Sequence, residues 1–222
     1  MENNENRDNQ PIIKIEHLTK IINKKIILDD INQEFYGGKV YGIRGKNGSG
    51  KTMLMRSIAG LILPTKGQII INGKIVTKKN AIPNSIGILL ENPSFISEYS
   101  GYKNLRLLAD LNCNLTNADI ENLLDKVGLQ DQMHKKYGEY SLGMKQRLGV
   151  AAAIMGEPQI VLLDEPINAI DGDGVEQIRN VIHELKTPDH VVIVTCHDIE
   201  ELEYLSDEII KISEGKIIHE AE

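Results

Sequence analysis

One octapeptide constrains this chain more than any other stretch: Gly45-Lys46-Asn47-Gly48-Ser49-Gly50-Lys51-Thr52 fits GxxxxGK[ST] at every fixed position. It lies between an apolar strand-like run, Lys39 to Arg44, and a helical run that begins near Lys51. Its glycines let the backbone fold into a nest whose N–H groups converge on phosphate oxygens, and the following helix N-terminus adds partial positive charge. In that geometry Lys51 holds the β- and γ-phosphates. The Thr52 hydroxyl suits Mg²⁺, a hard cation that takes oxygen ligands. A Gly-rich surface turn is the simpler reading, and the strand before and helix after argue against it.

A second run, Ile160-Val161-Leu162-Leu163-Asp164-Glu165, reads as a buried strand that ends in two carboxylates. Strand alternation sends consecutive side chains to different sides, so Asp164 and Glu165 are expected to do separate jobs. One would orient Mg²⁺, directly or through water, and the other would take a proton from an attacking water.

Elsewhere, apolar runs such as His190 to Thr195 alternate with helical periodicity, which implies a buried, largely parallel sheet in an α/β fold. The segments before Val40 and between Gly67 and Val76 alternate Ile with polar residues, and Asn72-Gly73 suits a hairpin turn, so a small antiparallel sheet is expected beside the core. Thr116 and Asp119 have capping-box spacing ahead of an apolar face of Ile120, Leu123, Leu124 and Val127, with Gly128 as the stop. A further helix is expected after Ser141, ended by Gly156 and Pro158, and a last hairpin near Glu214 and Gly215. Residues 1–11 read as a polar tail. Residues 12–222 read as one domain, with a helical subdomain at about 101–156.

The composition narrows the function. Asp plus Glu number 32 against 25 Lys plus Arg, a net charge of −7, so no general attraction for nucleic acid is expected. No run reaches the roughly 18 to 20 apolar residues that cross a bilayer, and the start lacks the apolar core of a secretory signal, which together imply an intracellular chain. Cys113 and Cys196 lack metal-ligand spacing, so packing is the expected role of Cys196.

With these residues in place, the sequence resembles the ATP-binding cassette (ABC) transporter ATPases along nearly its whole length after the tail. Ile86-Gly87-Ile88-Leu89-Leu90-Glu91-Asn92-Pro93 resembles the Q-loop, and Tyr140-Ser141-Leu142-Gly143-Met144-Lys145-Gln146-Arg147 resembles the signature LSGGQ-x-R. Asp164-Glu165-Pro166 matches the Walker B end, Asn168-Ala169-Ile170-Asp171 the D-loop, and His197 the switch histidine.

The resemblance implies a mixed core sheet with antiparallel and helical subdomains, ATP and Mg²⁺ as ligands, and Glu165 as the base. Thr52, Asp164 and Glu91 would serve the metal, and His197 the γ-phosphate. Alone, Ser141 reads as an ordinary N-cap. In this class Ser141 and the amides near Gly143 would also meet an ATP bound by a second cassette, which Asp171 would face. The partners implied are that second cassette, as a homodimer or a heterodimer, and a separately encoded membrane permease that holds the subunit at the cytoplasmic membrane face.

Two departures stand out. Ile22 falls where most cassettes stack adenine on an aromatic ring; losing a stack worth roughly 1 to 3 kcal/mol implies weak choice between ATP and GTP. A tight, adenine-selective isotherm would contradict this. Glu91 replaces the usual glutamine and adds negative charge beside Mg²⁺ and the γ-phosphate. With Ser-Leu-Gly-Met-Lys-Gln in the signature, it resembles the branch serving bacitracin-type resistance and lantibiotic immunity, hence export of antimicrobial peptides or drugs. A cassette that drives a membrane sensor or remodelling complex without transport would carry the same catalytic residues.

Overall fold

The computed structural model describes residues 10–77, 86–91, 93–112 and 114–218. Nearly all of the polar start, Asn92 of the Q-loop-like run and Cys113 lie outside them. Two sheets carry the fold. The first contains β1 (Ile13–Ile22), β2 (Lys25–Phe35), β4 (Lys66–Ile71) and β5 (Lys74–Ile75), in the order β2-β1-β4-β5 and antiparallel throughout. Asn72 and Gly73, both with positive φ, make the two-residue turn expected between β4 and β5. The alternation of β1 and β2 is less regular than the sequence implies. His17 and Asp30 both take positive φ where the register shifts, and their side chains meet at 2.8 Å.

The second sheet is mixed, in the order β10-β9-β3-β8-β7-β6. Here β3 is Lys39–Arg44, β6 Ile86–Leu89, β7 Ile160–Asp164, β8 Val191–Thr195, β9 Glu208–Ser213 and β10 Lys216–Ile218. All pairs are parallel except the terminal hairpin β9–β10. Because β7 and β8 are covered on both faces, every residue in them is buried, which is why they read as continuous apolar runs. On one face Val161, Leu163, Val192 and Val194 join the core beneath helices. On the other, Ile160, Leu162, Val191 and Ile193 pack towards the antiparallel sheet.

The helices are α1 (Lys51–Ile58), α2 (Gly101–Asn112), α3 (Asn117–Lys126), α4 (Leu142–Ile154), α5 (Gly172–Glu184) and α6 (Ile199–Leu205). The capping box at α3 forms as expected: Thr116 Oγ1 accepts from the Asp119 N–H at 3.2 Å, and Asp119 Oδ2 accepts from the Thr116 N–H at 2.7 Å. Ile120, Leu124 and Val127 are fully buried, and Gly128, at φ +68°, turns the chain out of the helix. Helix α4 lies against β6 and β7. A Cβ on Gly87 of β6 would sit 1.6 Å from the Ala153 carbonyl oxygen, so only glycine allows this approach.

This topology sets the C-terminal ends of β3, β8 and β7 side by side. Thr195 ends β8 in register with Ile43 on one side and Asp164 on the other. Everything placed after those three strand ends converges on one edge of the sheet.

Candidate functional site

The loop after β3 places Gly48 at φ +78° and Gly50 at φ +113°, two left-handed positions that bend the backbone into a nest. Gly50 caps α1 without a side-chain hydrogen bond, and the first turn of α1 contains no acidic residue. Its leading N–H groups are therefore not engaged by any carboxylate of the helix's own first turn, as an anion site requires. Lys51 is buried beneath the loop, its Nζ donating to the Gly45 carbonyl at 2.7 Å and the Lys46 carbonyl at 3.4 Å. The turn of the β9–β10 hairpin braces the loop, because the Gly215 N–H donates to the Ser49 carbonyl at 2.9 Å. A cavity of about 740 Å³ opens over residues 44–49, bordered also by Cys196, His197, Lys211 and Glu214. Buried Ser49 Oγ has no hydrogen-bond partner among the described residues.

Asp164 ends β7 with its carboxylate inside the protein. Thr52 Oγ1 donates to Asp164 Oδ2 at 2.8 Å, and Thr195 Oγ1 donates to Oδ1. A hydroxyl and a carboxylate in contact make an oxygen pair of the kind a hard divalent cation takes, so the residues fit Mg²⁺.

Asp164 and Glu165 do separate, though for a different reason from the one expected. The strand ends at Asp164, and Glu165 turns to φ +56°, a left-handed backbone that costs a non-glycine residue about 1 kcal/mol or more. The Glu165 N–H donates to Thr195 O at 3.2 Å and Thr195 Oγ1 at 3.1 Å. Its carboxylate is directed to His197, with Glu165 Oε1 2.8 Å from His197 Nε2. The expected contact of His197 was a phosphate; in the structure its partner is Glu165.

At the other end of the chain's functional set, Ser141 caps α4, accepting from the Met144 N–H at 3.2 Å, and it is exposed. Accepting leaves its own O–H proton free to donate. Gly143 is buried, and a Cβ there would lie 2.6 Å from the Ala169 carbonyl oxygen, so the signature helix rests directly on the D-loop of the same chain. Asp171 has a local duty that the sequence reading overlooked: it caps α5, accepting from the Gly174 N–H at 3.2 Å.

Glu91 stands at φ +60° just after β6, and its Oε1 meets Arg56 Nη2 at 2.5 Å. Its partner is thus a guanidinium on the last turn of α1 rather than the Thr52–Asp164 pair. Replacing Glu91 by Gln is expected to keep ATP binding within about fivefold, since exposed ion pairs contribute at most about 1 kcal/mol. The Mg²⁺ concentration for half-maximal ATPase should rise, and an unchanged metal titration would make the substitution incidental. Ile22 lies exposed at the end of β1, beside the turn of Asn23 and Lys24. Burial pushes the Cys196 thiol up to about 11, so it is not a reactive thiolate at neutral pH, in keeping with a packing role.

Three participants were not singled out from sequence: Thr195, Gln146 and Arg56. Thr195 had a weak signal, a hydroxyl ending a β-branched apolar run. Gln146 had another, an amide four residues before the Val150-Ala151-Ala152-Ala153 stretch of an apolar helix.

Comparison with known proteins completes this picture. The sequence profile of the ABC transporter family matches residues 28–168. The uncharacterized ABC transporter ATP-binding protein YybJ of Bacillus subtilis (strain 168) is 39% identical over 206 residues, 93% of this chain and 94% of that protein. The bacitracin transport ATP-binding protein BcrA of Enterococcus faecalis is 37% identical over 211 residues, 94% of this chain and 68% of BcrA. The lantibiotic transport ATP-binding protein SrtF of Streptococcus pyogenes is 35% identical over 211 residues, 95% and 91% of the two chains.

Among solved structures, cbiO1 from Clostridium perfringens, part of the ABC transporter complex cbiONQ, superposes with TM-score 0.80 at 27% identity over 95% of this chain and 88% of that one. The ATP-binding cassette MJ0796, a dimer bound to ADP and phosphate after hydrolysis, shares the fold with TM-score 0.85 at 23% identity, over 93% and 97%. The chain belongs to the ABC transporter family. It is an ATP-binding subunit of such a transporter and an ATPase. Subunits of this kind dimerise and work with membrane permeases. Among the described residues no helix is long and apolar enough to cross a membrane.

Proposed function

We propose that two copies of this chain close around two ATP molecules to drive export of an antimicrobial peptide through a separate permease at the cytoplasmic face of the membrane. The observation that supports this best is the convergence of Lys51, Thr52, Asp164, Glu165 and His197 at one sheet edge, while Ser141 stays exposed on a capped helix elsewhere. The bacitracin and lantibiotic relatives motivate the peptide cargo.

In this reading Gly45, Lys46, Asn47, Gly48, Ser49 and Gly50 cradle the phosphates through their backbone amides, and Lys51 neutralises charge on the β- and γ-phosphates. Thr52 and Asp164 would hold Mg²⁺, joined by Glu91 once it leaves Arg56, and the ion would supply neutralisation of phosphate charge. Glu165 takes a proton from water as the water oxygen attacks the γ-phosphorus and the bond to the β-phosphate oxygen breaks, releasing ADP. His197 orients the Glu165 carboxylate and meets the γ-phosphate. Ser141 and Gly143 supply the anion contact to the partner's ATP, and Asp171 holds the D-loop that faces the partner. Residues 12–222 act as one nucleotide-binding domain, with about 101–156 as the helical arm towards the permease. Ile22 leaves the base unstacked.

Light scattering tests the composite site. Glu165→Gln should double in mass when ATP and Mg²⁺ are added, and Ser141→Arg in the same background should stay monomeric while still binding ATP. A monomer in both cases would overturn the homodimer.

A further inference from the structure

The Gln146 side chain is 6% exposed and its Nε2 donates to the Glu165 carbonyl at 2.8 Å. A buried amide holds such a bond firmly, because losing it leaves a polar group without water or partner. The same carbonyl accepts from the Asn168 N–H at 3.1 Å, so both of its lone pairs are used. On the other side of the residue, the Glu165 N–H is held by Thr195. The peptide planes before and after the Glu165 Cα are therefore both anchored, and with φ at +56° this fixes the direction in which the side chain leaves the backbone. That direction carries the carboxylate to His197.

Gln146 projects from α4 one turn after Gly143, on the same face. Gly143 touches the Ala169 carbonyl and Gln146 the Glu165 carbonyl, so one face of α4 grips the turn at both ends, between Glu165 and the D-loop. The N-cap of that helix is Ser141.

We infer that Gln146 is a positioning residue for Glu165, and that through it the signature helix sets the geometry of the hydrolytic carboxylate in its own chain. The inference rests on the reading of Glu165 as the base. With the Gln146 bond gone, one of the anchors on an unfavourable left-handed residue is lost, the backbone relaxes towards the right-handed region, and the carboxylate swings away from His197. A misplacement of about 1 Å at a reacting group can cost about a hundredfold in rate. Nucleotide binding lies with the P-loop, whose contacts do not involve Gln146.

The test uses the full-length chain with Gln146→Met, which keeps the volume without a donor, and Gln146→Glu, which keeps the shape and donates nothing when ionised. Phosphate release is measured against ATP concentration, and nucleotide affinity with a fluorescent ATP analogue. We expect kcat to fall about 10- to 100-fold, with KM and nucleotide affinity within about twofold. In a Glu165→Gln background, measured by single-turnover hydrolysis, Gln146→Met should slow the residual rate by less than twofold, because its effect passes through Glu165. Unchanged kcat in both single variants would overturn the proposal, as would loss of nucleotide binding in both, which would make Gln146 a folding residue. Wild-type hydrolysis by Glu165→Gln alone would overturn the assignment of the base, and with it the role of Gln146.

Discussion

Replacing Glu165 by Gln is expected to lower ATP hydrolysis by about 10²- to 10⁴-fold while leaving ATP affinity within about twofold. That range is what a positioned general base contributes, about 2.7 to 5.4 kcal/mol of the barrier. The substitution isolates the proton transfer, since it leaves the backbone contacts of Glu165 in place: the N–H to Thr195, the carbonyl to Gln146 and Asn168. A glutamine oxygen can still accept from His197 Nε2, 2.8 Å from Glu165 Oε1, so the side chain keeps its direction and loses only its basicity. The carboxylate is 26% exposed, so its neutralisation changes folding stability little. Phosphate release at saturating ATP and an equilibrium binding titration check both halves. Hydrolysis within tenfold of the wild type would move the base elsewhere in the site.

The parts of this site that could be read from sequence are those whose chemistry is written locally. The octapeptide needs only its own glycines, its lysine and the two flanking elements, and Gly48 and Gly50 do take the left-handed backbone that such a loop demands. The same holds for the capping box of Thr116 and Asp119 and for the Asn72-Gly73 turn, each complete within four residues or fewer. Thr195 is different. Its hydroxyl joins Asp164 and the Glu165 N–H because β8 lies between β3 and β7 in one particular register, a fact about pairing between strands that are 31 positions apart at this point. The Arg56–Glu91 pair and the Gln146–Glu165 bond are of the same long-range kind, spanning 35 and 19 positions. Asp171 was half legible: the motif marked it, and the cap it provides to α5 became evident only with the helix start at Gly172.

Asp164→Asn should separate stability from function. Asp164 is 9% exposed, and among the described residues its carboxylate is hydrogen-bonded by two hydroxyls rather than a cation. A buried charge held only by neutral donors carries a desolvation cost that the folded protein absorbs elsewhere. Asparagine removes that charge and keeps the shape, at the expense of one acceptor. Thr195 Oγ1 already accepts the Glu165 N–H and must donate, so the asparagine oxygen stays with Thr195 and its NH₂ turns to Thr52, whose hydroxyl can accept. The metal-free fold should therefore stay within about 1 kcal/mol of the wild type, a shift in Tm of at most about 2 to 4 °C for a chain of this length. Hydrolysis should nonetheless fall at least about a hundredfold, or 2.7 kcal/mol, because a hard divalent cation loses its carboxylate and finds an amide N–H₂ directed at Thr52. Calorimetry with and without ATP and Mg²⁺ checks the two parts together: the Tm of the free protein within about 4 °C of the wild type, and the Mg²⁺-dependent part of its rise with ATP abolished. A variant that keeps the full Mg²⁺-dependent rise would show that the ion is held by other groups; one that loses several kcal/mol without ligand would make Asp164 a structural pin of β7 and β8, and its place at the phosphate edge incidental.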